Sequence, residues 1–80
     1  MKMINNVVAK VKANKIMRIV HDYQTHIEDL IDQRNEWRII AISPTSDAYT
    51  KEIAIQNVIN ITNEITDLVA KRTKVLESSL

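Results

Sequence analysis

Ser43-Pro44-Thr45-Ser46-Asp47 lies near the middle of an 80-residue chain that contains no glycine and no second proline. Glycine supplies the positive-φ conformations used by tight turns and by many helix ends. A chain without it is poorly suited to a multi-turn β fold or to a glycine-rich phosphate loop. Ser43 precedes proline, which pushes it away from helical dihedrals, so a helix arriving from the N-terminal side should stop near Ile42. Ser46 and Asp47 are both good N-caps for a helix leaving on the other side. The stretch therefore reads as the reversal between two long helices.

The pattern is cleanest after the reversal. Ala54, Val58, Ile61, Ile65, Leu68 and Val75 step by three and four, with Arg72 in the same row. That is the a/d seam of a heptad pattern. Ile55, Thr62, Val69 and Leu76 follow it at the next position and widen the stripe. This predicts a helix over about 46–77. Before the reversal, Val20, Tyr23, Ile27, Leu30, Trp37 and Ala41 step in the same rhythm, with Arg34 in the row. Ala13 and Ile16 continue the row upstream, and Met17 and Ile31 flank it. This predicts a helix over about 14–42. Two arginines thus stand in core-type rows, where they either snorkel to the surface or fix register and oligomeric state.

Residues 3–13 fit two periods. Val7, Ala9, Val11 and Ala13 alternate as in a strand, whereas Ile4, Val7, Val8 and Val11 fit a helix. Two strands alone would be an unsupported ribbon, so the segment is expected to be a helical extension or a separate short element, with Asn14 as the natural break.

The whole reads as one all-α domain over 1–80, an antiparallel two-helix hairpin. The hydrophobic fraction is 45%, with one tryptophan and two tyrosines. So much aliphatic surface on so simple a shape calls for a partner, because small chains bury little surface by themselves. The expected partner is a second copy, giving a homodimeric four-helix bundle.

Without cysteine, disulfides, zinc–thiolate sites and cysteine nucleophiles are excluded. The start of the chain, one lysine followed by an interrupted apolar run, is a poor secretory signal. No apolar stretch approaches the ~18 residues of a membrane span. A cytoplasmic protein with no membrane partner is expected. The bias toward isoleucine, asparagine and lysine suggests an AT-rich genome, such as that of a low-GC bacterium or its phage.

Three groups of residues bear on chemistry. Asp22, His26 and Asp29 can share one helical face, but neither Glu-x-x-His nor His-Glu-x-x-His is present; an ordinary helical charge–imidazole pair is expected, with no metal and no cofactor. Serines gather at the reversal and at the C-terminus, away in sequence from His21 and His26, and no nucleophile elbow can be built without glycine. An enzyme is not expected. The net charge is +1, but Lys2, Lys10, Lys12, Lys15 and Arg18 all precede the first acid, Asp22. Lys10, Lys12, Lys15 and Arg18 are the candidate phosphate contacts of a nucleic-acid-binding regulator. The alternative is a solvated face whose charge answers the acidic stretch of Asp22, Glu28, Asp29, Asp32 and Glu36 in a second copy.

Two resemblances are short. Ile61-Thr62-Asn63-Glu64-Ile65-Thr66 is similar to the Ser-Gln-Glu-Leu-Asp box of the small helical-hairpin phosphatases that act on sporulation response regulators. Thr66 stands where that box has the acid on which activity depends, so the resemblance implies the hairpin without the activity. Pro44-Thr45-Ser46-Asp47 resembles the turn of type III secretion needle subunits, which are also helical hairpins; the basic N-terminal segment departs from them. Neither match carries a family assignment.

The function expected from these readings is a small interaction module: an adaptor, inhibitor or regulator that acts as a homo-oligomer on another protein. Trp37, Ile39, Ile53 and Ile59 are the candidate partner-binding residues. Nucleic-acid binding through the basic segment is the alternative, and a self-assembling structural subunit is the weaker one.

Overall fold

The computed structural model describes the backbone of residues 2–79 and the side chains of residues 12–79. Helix α1 spans Lys2–Ile42 and helix α2 spans Ala48–Ser78. They pack along one another as an antiparallel hairpin measuring 68 × 15 × 11 Å. No described residue is in a strand. The N-terminal segment is a helical extension and not a separate element. The expected break at Asn14 is absent, since α1 runs through it for 41 residues against 31 for α2. Asparagine is a weak helix former but costs well under ~1 kcal/mol inside a helix, too little to interrupt one bounded by Lys12, Ala13, Lys15 and Ile16. α1 therefore projects beyond the end of α2 at the open end of the hairpin.

α1 stops at Ile42, the last residue that can stay helical before the residue preceding Pro44. Hydroxyls and a carboxylate then do the work that glycine does in other turns. Ser43 N–H reaches back to Ile40 O (3.3 Å), and Ser46 N–H donates to Ser43 O (3.3 Å). The Ser43 and Thr45 hydroxyls bond each other at 2.8 Å. Asp47 is the N-cap of α2, with extended backbone (φ −75°, ψ 170°). Its carboxylate accepts Thr50 N–H at 2.7 Å. That bond holds the Asp47 carboxyl below its usual value of 3.8, because hydrogen bonding favours the charged form. At the other end of α2, Ser79 keeps φ at −90°. Its amide (3.2 Å) and hydroxyl (2.6 Å) both donate to Leu76 O. No described residue has positive φ, so a chain without glycine reverses and ends without needing it.

The seam forms as its spacing dictates. On α1, Ile16, Val20, Tyr23, Ile27, Leu30, Arg34, Trp37 and Ala41 are buried or half-buried; on α2, so are Ala54, Val58, Ile61, Ile65, Leu68, Arg72 and Val75. Among the described residues only Ile27, Leu30 and Ala54 are buried outright. Ala41 and Ala54 are the small seam residues nearest the reversal, where a short turn requires the helix axes to approach closely. Ala13, the other seam residue expected upstream, is exposed.

Candidate interaction surface

Both seam arginines are half-buried, and they are satisfied differently. Arg72 donates through Nη1 to Gln24 Oε1 across the hairpin. Gln24 in turn donates its amide to Glu28 Oε1 at 3.1 Å. Guanidinium, amide and carboxylate thus form a relay that ties one level of α2 to one level of α1. Arg34 has its Nε buried without a hydrogen-bond partner.

The seam defines two long sides. Heptad rows on antiparallel helices meet like with like, so the position after each d residue on α1 lies on the same side as the position after each d residue on α2. On one side these rows are Met17, Gln24, Ile31 and Arg38 from α1, and Ile55, Thr62, Val69 and Leu76 from α2. Ile42 and Ile59 extend that side outward. The placement of Met17 and Leu76 agrees, because together with Ile16 they line one open groove of about 620 Å³. On the other side the rows are Ile19, His26, Gln33 and Ile40 from α1, and Thr50, Asn57, Glu64 and Lys71 from α2.

The first side is more apolar than its sequence alone indicates. Thr62 donates its hydroxyl to Val58 O (2.7 Å), Thr66 to Thr62 O (3.0 Å) and Thr73 to Val69 O (2.9 Å). With the hydroxyls tied to the helix backbone, these threonines need no external partner and act with Ile55, Ile59, Val69 and Leu76 as one β-branched and aliphatic stripe. Large hydrophobic side chains stand open there: Ile42 is 79% exposed, Met17 64% and Ile55 51%.

The four residues expected to bind a partner are not gathered into one patch. Trp37 is half-buried in the seam. Ile39 lies on the outer surface of α1, Ile59 on the apolar side of α2 and Ile53 toward its opposite side, all three exposed. The four stand out singly as apolar residues off the seam or at its edge, and nothing in their spacing puts them on a common side. The residues that do share a side, Met17 and Ile31 on α1 and Ile55, Thr62, Val69 and Leu76 on α2, are visible in the sequence as two separate flanking rows. What joins them is the antiparallel pairing.

Of the basic set, Lys12, Lys15 and Arg18 are exposed on α1, and the side chain of Lys10 lies outside the described residues. The ion pair among the described residues is Lys71–Asp67 at 3.1 Å, on the surface of α2, and pairs of that kind contribute little. Asp22 and His26 share a shallow recess with Ile19 and Tyr23, while Asp29 accepts Gln33 at 3.0 Å. No group of three histidine, aspartate or glutamate side chains converges among the described residues. Among those residues no helix is long and apolar enough to cross a membrane.

Comparison with protein-family models, with curated proteins and with solved structures found no match.

Proposed function

We propose that this protein is a non-enzymatic interaction module that works as a homo-oligomeric helical bundle and engages another protein as an adaptor, inhibitor or regulator. One observation carries this reading: among the described side chains only Ile27, Leu30 and Ala54 are buried, while nine large hydrophobic ones are exposed. Five of these, Met17, Ile42, Ile55, Ile59 and Leu76, share one side of the hairpin, and apolar side chains left open together support an association surface. The grooves on the hairpin are open and line its outside, unlike the enclosed pockets that hold small molecules. An assembled bundle leaves the outward residues, Ile39 among them, for a second partner.

The test is thermal unfolding across a concentration series. A homo-oligomer gains stability by mass action, so the melting temperature is expected to rise by several degrees from micromolar to millimolar chain. A melting temperature independent of concentration would remove the self-association on which the reading depends.

A further inference from the structure

We infer that the side carrying Ile31, Ile42, Ile55, Thr62, Val69 and Leu76 is the interface, and that its occupant is the same side of a second copy of this chain. This deepens the proposed function and rests on its claim of self-association.

Area is the first argument. The hairpin exposes 6563 Å², whereas a globular monomer of its 9.2 kDa exposes about 4,900 Å². A globular dimer of twice that mass exposes about 8,200 Å². Two separate hairpins, each exposing 6563 Å², therefore carry on the order of 4,900 Å² in excess of it, within the range that permanent homodimers bury. Even a rod-shaped bundle that covers half of this excess has an ordinary stable interface.

Charge is the second. From Ile55 to Leu76 the stripe on α2 has no formal charge, and its threonine hydroxyls are already bonded to the helix. A twofold assembly sets a surface against itself, so a charge near the axis meets its own copy. An uncharged, internally satisfied stripe avoids that cost. Over the same stretch of α2 the opposite side presents Glu64 and Lys71 with Asn57 and Asn60, all of which would have to be desolvated; on α1 the flanking rows carry one ionisable residue each, Arg38 on the apolar side and His26 on the other. Both sides adjoin the seam of Ile27, Leu30 and Ile65, but only the closing of two apolar sides extends that seam into one core shared by four helices.

The absence of cysteine makes the test simple. Thr62→Cys places a thiol on the apolar side and Asn57→Cys places one on the polar side, at positions equally half-buried in the hairpin. Maleimide labelling is followed with the mass of each sample measured in parallel. In the dimer, labelling at Thr62→Cys is expected to slow by roughly tenfold relative to the dilute chain, with Asn57→Cys unchanged. Equal labelling rates in a sample of doubled mass would overturn the choice of face and leave self-association standing. A mass that stays at one chain would overturn both.

Discussion

One long side of the hairpin offers Met17, Ile31, Ile42, Ile55, Val69 and Leu76 beside Gln24, Thr62 and Arg38; the other offers His26, Gln33, Asn57, Asn60, Glu64 and Lys71 beside Ile19 and Ile40. Both are drawn from the same two helices, and both border the same seam. They differ in how their polar atoms are treated. On the first side, threonine hydroxyls turn inward to carbonyls of the preceding turn, and Arg72 is held by Gln24. On the second, carboxylates, amides and an ammonium group remain where water solvates them. A two-helix hairpin has one contact surface too few to enclose a core, and the asymmetry marks the side on which the proposed second copy would pack. The seam supports both sides equally, so disturbing it separates fold from assembly.

The largest expected effect is on that shared seam. Leu30→Ala removes one of the fully buried side chains and should cost about 3 kcal/mol of unfolding free energy, read as a lower urea midpoint with unchanged m. It weakens the support of both sides without favouring either. A smaller effect concerns the reversal, which belongs to neither side. The Asp47 carboxyl is held below its usual value by the Thr50 N–H. Its contribution is present above the unfolded-state value and is lost as pH falls through the lower, folded-state one. Asp47→Asn keeps a capping oxygen but cannot titrate. As pH falls from neutral through the carboxylate range, the melting temperature of the unaltered chain should fall further than that of Asp47→Asn. An identical fall in both would show that the cap does not contribute through its charge.

The fold was legible because a few residues constrain it heavily. Pro44 ends α1 at Ile42, Asp47 caps α2, and the two heptad rows have no other way to pair than folded about that turn. The N-terminal segment was ambiguous for a physical reason: Val7, Ala9, Val11 and Ala13 satisfy a strand period while the neighbouring Ile4 and Val8 satisfy a helical one. Single-position propensity decides little there, and α1 continues through Asn14 as one helix. The surface was half legible. Ile55, Thr62, Val69 and Leu76 read as one row, and Met17 and Ile31 as parts of another. That the two rows lie on one side follows from antiparallel packing, and the silence of the threonine hydroxyls follows from side-chain geometry. Trp37, Ile39, Ile53 and Ile59 stand out singly in the sequence because each is large and apolar, but the hairpin does not bring them together.

On this reading one side of the hairpin is an interface and the other is not. Sedimentation equilibrium of Val69→Asp beside Glu64→Lys tests it directly, with helical content checked by circular dichroism. Each copy of Val69→Asp carries a carboxylate into the interface at a cost of about 1–3 kcal/mol, so two copies should raise the dimer dissociation constant by about thirtyfold or more. The predicted result is a Val69→Asp chain that sediments at 9.2 kDa with its helices intact, and a Glu64→Lys chain that sediments at twice that mass. Val69→Asp remaining dimeric while Glu64→Lys dissociates would contradict the account.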